Sequence, residues 1–199
     1  MTTSEKRQSI IETGKGLFLE RGYSAAGLKD ILQHAGIPKG SFYHFFASKQ
    51  DFAEAVMRSY DRQFEDFFDA CFQDCSLTPA QQLRTFFDLS IERLGLDGFR
   101  GGCLIGTLGQ ETGATSRALA GLADDIIGRW QKRIESCLKR AADAEELAYD
   151  VAPAELAQFI VNGWEGAMLR MRLEQSPAPL RNFVSTLFAG YFTTDGRRG

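Results

Sequence analysis

Polar and basic side chains that could contact a nucleic acid are concentrated between positions 29 and 49. Lysine ammonium groups neutralise phosphates, hydroxyl and imidazole groups hydrogen-bond to phosphates or base edges, and glycine allows a close approach. The candidate DNA-binding residues are Lys29, Lys39, Gly40, Ser41, Tyr43, His44 and Lys49. Lys49 falls in the first turn of a predicted helix, where backbone N–H groups and its ammonium can converge on one phosphate. These residue types at this spacing predict a surface that binds double-stranded DNA.

Two short predicted helices position these side chains. They cover Leu28–His34 and Pro38–Phe45, and the turn between them contains Gly36, which can take the left-handed conformation that a tight turn requires. Helices joined in this way form a helix-turn-helix, here over about residues 27–46, whose second helix enters the major groove. The apolar residues expected to pack against the first helix are Leu28, Ile31, Leu32, Ile37, Phe42 and Phe45. The polar residues of the second helix would then face outward.

A second candidate site is Cys103, which starts a short predicted helix after Arg100 and two glycines. Backbone N–H groups at a helix N-terminus and a neighbouring cation both stabilise a thiolate, and the glycines leave the sulfur accessible. Cys103 is therefore a candidate sensor that reacts with an electrophile or oxidant, or contacts a small unsaturated ligand. The alternative is packing, the usual role of a small buried cysteine. Further along, Glu111 is either a polar anchor for a ligand or a capping or surface residue.

Large apolar residues beyond position 50 could line an effector cavity between helices. The candidate effector-binding residues, in addition to Cys103, are Phe86, Trp130, Trp164 and Met168. The same residues could instead be packed core, and residue types alone do not separate the two. The other cysteines, Cys71, Cys75 and Cys137, fall on predicted buried faces and are expected to be core residues.

Helical periodicity runs along almost the whole chain and predicts an all-α fold of about nine helices. Residues 1–50 are expected to form an N-terminal three-helix DNA-binding domain, and residues 51–199 a helical bundle that binds an effector and dimerises. The last two predicted helices carry broad apolar stripes, and small residues at 163–167 would let helices approach closely. Packing of these helices across a two-fold axis would form a homodimer. The alternative is that they only close the core of one subunit.

Composition and charge favour a DNA-binding protein and disfavour a metalloprotein, a secreted protein and a membrane protein. The net charge is −3, but residues 1–50 alone carry +3, so the remaining 149 residues carry −6. A basic segment on an acidic body suits a DNA-binding domain attached to one that does not meet phosphate. There is no CxxC pair, and no metal or cofactor is expected. The N-terminus lacks a secretory signal and no stretch would span a membrane, so we expect a cytoplasmic protein with reduced thiols.

The segment GYSAAGLKDILQHAGIPKGSFYHFFASKQDF, residues 22–52, resembles the signature of the TetR family of transcriptional regulators. The resemblance implies a homodimer with one DNA-binding domain per half-site of a near-palindromic operator, released when an effector binds the second domain. Repression is the family default. Family members usually place a hydroxyl residue at the start of the second helix, whereas this chain has Ala26 and Gly27. One phosphate contact is therefore lost or passes to Lys29.

A second segment, GGCLIGTLGQE at residues 101–111, resembles a NemR-like subset of the same family that controls reductases for reactive electrophiles. In that subset the residue matching Cys103 is the sensor, which implies the same role here. The residues leave two other functions open: a thiol-dependent enzyme built on Cys103, and a ligand-carrying helical bundle without a DNA role. No catalytic partner for the thiol and no glycine-rich phosphate loop is evident, which disfavours the enzyme. The basic cluster at 39–49 disfavours the bundle.

Overall fold

The computed structural model describes residues 2–193, and this part of the chain is helical almost throughout. The nine helices of the described residues are α1 (Thr3–Ala25), α2 (Leu28–Ala35), α3 (Lys39–Phe45), α4 (Lys49–Phe72), α5 (Pro79–Gly95), α6 (Leu104–Thr112), α7 (Arg117–Asp143), α8 (Pro153–Glu174) and α9 (Ala178–Tyr191). An isolated antiparallel bridge pairs Leu147 with Phe192. No helix among these nine combines the length and the apolar character needed to cross a lipid bilayer. The prediction of an all-α fold is confirmed.

Local capping signals explain where two of the longer helices begin. The Thr78 hydroxyl accepts a hydrogen bond from the Gln81 backbone N–H (3.4 Å), and the Gln81 side chain accepts one from the Thr78 N–H (2.9 Å). Pro79 then takes the first position of α5, where its missing N–H costs nothing. At α4, the Ser48 hydroxyl accepts from the Asp51 N–H at 3.0 Å. These bonds fix the first turns because they satisfy N–H groups that lack a partner inside the helix.

The described chain divides into two compact units. The first unit contains residues 2–64 and 103–127, which are α1 to α3, most of α4, all of α6 and the first part of α7. The second unit contains residues 65–102 and 128–193, which include α5, α8 and α9. The N-terminal helices therefore share a unit with α6, a helix from the middle of the chain.

An aromatic cluster forms the core of the first unit. The Phe52 ring centroid lies 5.6 Å from that of Phe18, 5.5 Å from Phe42 and 5.0 Å from Phe46. All four rings are almost completely buried, and burial of one such side chain contributes roughly 2 kcal/mol. The rings come from α1, α3, α4 and the residue that ends α3. This cluster therefore fixes α3 against its two neighbours.

The second unit has a separate aromatic core. The Phe87 ring lies 4.8 Å from the Trp164 ring, and both lie about 6 Å from Phe183 (6.0 and 5.9 Å between centroids). A Cβ added at Gly163 would stand 2.5 Å from Phe183 Cε2. Gly163 therefore allows α8 and α9 of one subunit to pack closely.

Candidate DNA interface and candidate sensing residues

α3 separates a buried side from a polar side. Phe42 is fully buried, whereas its neighbour Tyr43 is 49% exposed. The Lys39 ammonium lies 6.0 Å from the centroid of the Tyr43 ring, so these two side chains are neighbours on one surface. The other candidate residues of α3 are also accessible: Lys39, Gly40 and His44 are exposed and Ser41 is half-buried. The structure thus brings the five candidates of α3 to one accessible side of the helix.

The turn between α2 and α3 has the predicted glycine geometry. Gly36 has φ 63° and ψ 33°, a left-handed conformation. Its N–H donates to the Gln33 carbonyl at 3.3 Å, and the Ile37 N–H donates to the Leu32 carbonyl at 3.1 Å. Pro38 is the residue that caps α3, one position before the helix, rather than its first residue. The turn therefore ends α2 and starts α3 within three residues, as a helix-turn-helix requires.

The start of α2 is capped without a hydroxyl. The Gly27 N–H donates to the Asp30 carboxylate at 3.1 Å, and the Arg21 guanidinium lies 3.6 Å from the same carboxylate. Lys29, the candidate for the missing phosphate contact, is exposed in the first turn of α2. Its ammonium is therefore available to a ligand at this end of the helix.

Lys49 lies beside an aromatic ring at the start of α4. Its ammonium is 4.4 Å from the centroid of the Tyr23 ring, within the range of a cation–π contact. Burial lowers the pKa of Lys49, while the Glu111 and Asp30 carboxylates act in the opposite direction. Burial also raises the pKa of Tyr23. Lys49 is half-buried, so it is a more constrained cation than Lys39.

Glu111 bonds to the last turn of α1, which follows a non-helical kink at Gly22. Its carboxylate accepts hydrogen bonds from the backbone N–H of Tyr23 at 3.1 Å and of Ser24 at 2.9 Å. Of the roles that the sequence left open for Glu111, the structure shows a capping role. Sequence reasoning had not connected Glu111 or Tyr23 with Lys49. The signal in the sequence was the glycine at position 22, because a glycine that interrupts a helix leaves backbone N–H groups in need of a partner.

Cys103 occupies the N-cap of α6. Its sulfur accepts a hydrogen bond from the Gly106 backbone N–H at 3.3 Å, the contact that stabilises negative charge on a sulfur at a helix N-terminus. Cys103 is buried, with 8% of its surface exposed, so the prediction that the two glycines leave its sulfur accessible was wrong. It belongs to the first compact unit, whereas Phe86, Trp130, Trp164 and Met168 belong to the second.

The other cysteines differ in exposure. Cys71 and Cys137 are buried as predicted, and burial raises the pKa of both, that of Cys137 to about 11. The Cys137 thiol donates to the Pro79 carbonyl at 3.2 Å. The prediction that Cys75 is buried was wrong, because α4 ends at Phe72 and Cys75 lies exposed in the turn beyond it.

The four apolar effector candidates are all buried, with exposures of 2–8%. Phe86 and Trp164 both contact Phe87, at 5.3 and 4.8 Å between ring centroids. Met168 follows Trp164 by one turn on the same side of α8. The structure thus brings Phe86, Trp164 and Met168 into one apolar layer of the second unit, and Trp130 is buried on α7 of that unit.

Two family models match this chain. The model for bacterial regulatory proteins of the tetR family matches residues 10–56, and the model for the tetracyclin repressor-like C-terminal domain matches residues 79–187. The second match alone covers more than half of the chain. The chain therefore belongs to the TetR family of transcriptional regulators, as its N-terminal motif predicted.

Individual relatives agree with this assignment. The chain is 41% identical over 187 residues to the transcriptional regulator AcuR of Cereibacter sphaeroides, covering 94% of this chain and 85% of AcuR. It is 25% identical over 184 residues to the HTH-type transcriptional repressor NemR of Escherichia coli K12, covering 92% of each. The crystal structure of regulatory protein TetR from Rhodobacter sphaeroides matches with a TM-score of 0.89 at 40% identity, covering 92% of this chain and 97% of that chain. All three relatives are named as regulatory proteins, two of them as transcriptional regulators or repressors.

Proposed function

We propose that this protein is a cytoplasmic, homodimeric repressor that binds a near-palindromic operator and leaves it when a small effector binds or Cys103 is modified. In this proposal residues 1–50 are the DNA-binding domain, and residues 51–199 bind the effector and dimerise. The main supporting observation is the accessible polar side of α3, which the buried Phe42 ring orients away from the core. A helix presented in this way fits the major groove.

The candidate residues divide into those that contact base edges and those that contact phosphates. Lys39 and Ser41, at the N-terminal end of α3, contact base edges, and Gly40 between them allows the helix to approach the DNA. Tyr43 and His44, further along α3, contact phosphate oxygens. Two more phosphate contacts come from outside α3, one from Lys29 on α2 and one from Lys49 at the start of α4.

The effector part of the proposal has two alternatives, a ligand in the apolar layer and a reaction at Cys103. The layer of Phe86, Trp164 and Met168, together with Trp130 buried on α7 of the same unit, supplies apolar surface of the kind that small-molecule sites use. The Cys103 sulfur accepts a hydrogen bond from the Gly106 N–H at the start of α6, and a helix N-terminus is a position at which reactive cysteines occur. Similarity to NemR over 92% of the chain supports a regulator of the same kind.

Exposed apolar residues support dimerisation through α8 and α9. Phe159, Leu169 and Leu173 are 50%, 52% and 72% exposed, and all three lie on α8. Gly166 lies between them, is exposed, and has open space around its Cα. Burying such side chains against a second copy removes apolar surface from water, about 25 cal/mol for each Å². An isologous four-helix contact uses this face twice.

The proposal is tested by selecting duplexes from a randomised library and measuring binding by fluorescence anisotropy at several salt concentrations. We expect specific binding that weakens steeply with salt, because the lysines release counterions from phosphates. Lys49→Ala should weaken it, whereas the control Lys132→Ala, an exposed lysine in the second unit, should not. Failure to select any sequence would favour the enzyme or the ligand-carrying bundle. Equal effects of the two variants on a selected duplex would contradict the phosphate contact of Lys49.

The Cys103 alternative is tested with N-ethylmaleimide on the same duplex. The exposed Cys75 reacts as well, so the comparison uses Cys75→Ser as the parent protein. We expect the reagent to release the parent from DNA and to leave Cys75→Ser/Cys103→Ser bound. Release of both proteins to the same extent would eliminate Cys103 as the sensor and leave the ligand alternative.

A further inference from the structure

Glu111 lies on α6 but bonds to the last turn of α1, just after the kink at Gly22. We propose that Glu111 is a positioning residue for DNA binding: by accepting hydrogen bonds from the Tyr23 and Ser24 N–H groups, it fixes the turn that places the Tyr23 ring beneath the Lys49 ammonium. This inference rests on the proposed function, since it assigns Lys49 to the interface. All four residues belong to the first compact unit.

The backbone around Gly22 leaves room for the Glu111 carboxylate. Gly22 has φ 76° and ψ 177°, a conformation that only glycine adopts readily. A Cβ at this position would overlap Glu111 Oε1 and stand 2.7 Å from Glu111 Cδ. The backbone at position 22 thus leaves space that the carboxylate fills, and the two N–H groups that follow point at its oxygens. Two independent features of one turn therefore meet at Glu111.

A short chain of contacts connects Glu111 to the interface. Its carboxylate fixes the backbone of Tyr23, the Tyr23 ring lies 4.4 Å from the Lys49 ammonium, and Lys49 begins α4. The Tyr23 ring also contacts Phe18, a core residue, with centroids 5.9 Å apart. Freeing the turn would let the Tyr23 ring leave Lys49. Fewer molecules would then have the lysine in its binding position, and the apparent affinity falls by that fraction.

The sign of the change in DNA affinity distinguishes a positioning role of Glu111 from a simple effect of its charge. Glu111→Gln removes a negative charge from the unit that binds a polyanion, so charge alone would tighten DNA binding. A positioning role predicts weaker DNA binding instead. A glutamine amide has one oxygen that can accept from the two backbone N–H groups, whereas its NH2 group cannot accept. We expect about tenfold weaker binding for Glu111→Gln, equivalent to about 1.4 kcal/mol, and weaker binding still for Glu111→Ala. The matched control is Asp124→Asn, an exposed acid of the same unit.

The experiment combines two measurements on the full-length variants. The first is the anisotropy titration of the duplex that the wild type selects best, and the second is amide hydrogen exchange by NMR at Tyr23 and Ser24. In Glu111→Gln we expect weaker binding, and we expect exchange at these two amides to rise by more than the accompanying decrease in global stability, measured by the urea midpoint, accounts for. In Asp124→Asn we expect equal or tighter binding and unchanged exchange.

Three results would overturn the inference. One is binding of Glu111→Gln that equals or exceeds that of Asp124→Asn. Another is exchange that rises uniformly along the chain together with a lower urea midpoint, because the role is then general stability. The third is unchanged exchange at Tyr23 and Ser24. If the wild type selects no duplex, the proposed function fails by itself and takes the DNA-positioning role with it. The exchange measurement then still decides whether Glu111 fixes the turn.

Discussion

Gly22→Ala should be among the most damaging single-methyl changes in the first unit. At φ 76° and ψ 177° an alanine carries strain of about 2 kcal/mol. The new Cβ also displaces Glu111, which then loses hydrogen bonds worth roughly 1.5–3 kcal/mol for each one to a charged group. With one of these bonds lost, we expect a decrease in the free energy of unfolding of about 3.5–5 kcal/mol.

Gly36→Ala is the matched control for this change. Gly36 also has a positive φ, 63°, but a Cβ there meets nothing within 4 Å. The control should therefore cost only the left-handed backbone conformation, roughly 1–2 kcal/mol. Urea denaturation followed by circular dichroism compares the two variants, and the difference between them measures the displacement of Glu111.

A double-mutant cycle with Glu111→Ala tests the cause. Because Gly22→Ala already expels the carboxylate, adding Glu111→Ala should cost little more and should relieve part of the overlap. The reasoning is refuted if Gly22→Ala and Gly36→Ala destabilise equally. It is also refuted if the effects of Gly22→Ala and Glu111→Ala simply add.

Three further predictions concern the interface, a thiol and the dimer. Ser41→Ala should change which duplexes are preferred in a repeated selection, whereas Lys49→Ala should weaken all duplexes alike and reduce the salt slope by about one; identical preferences for Ser41→Ala and the wild type would contradict the base contact. Because burial raises the pKa of Cys137 to about 11 from an ordinary value of 9.0, its neutral form favours the folded state below pH 9. The advantage of the wild type over Cys137→Ala in unfolding free energy should therefore fall by roughly 2–3 kcal/mol between pH 9 and pH 11, and a constant difference would disprove this. Leu169→Glu should produce a monomer of 22.1 kDa in analytical ultracentrifugation, while Leu96→Glu, at a residue 89% exposed on no proposed interface, should not.

Local signals allowed much of the fold to be predicted from the sequence. Thr78 and Pro79 mark the start of α5 through contacts within three residues, and Gly36 ends α2 through its own backbone conformation. The accessible side of α3 followed from helical periodicity around Phe42. These features depend on neighbours in sequence, which a single chain displays directly.

Contacts between distant residues could not be predicted in the same way. Glu111 accepts a hydrogen bond from the Tyr23 N–H, 88 positions away, and no local pattern around either residue indicates this contact. The prediction that Cys75 is buried failed because Cys75 lies beyond the end of α4 at Phe72, in a turn where helical periodicity does not determine burial. Whether the layer around Trp164 receives a ligand is also a property of three-dimensional packing, which periodicity does not encode.

The crystal structure of the protein bound to its selected duplex tests the central claim most directly. We expect α3 of each subunit in the major groove, with Lys39 and Ser41 within hydrogen-bonding distance of base edges. The centres of the two α3 helices should be separated by about 34–36 Å or a multiple of that distance, because successive major grooves on one side of B-DNA have this spacing. A complex in which α3 lies away from the duplex, or in which another surface of the protein contacts the bases, would contradict the account.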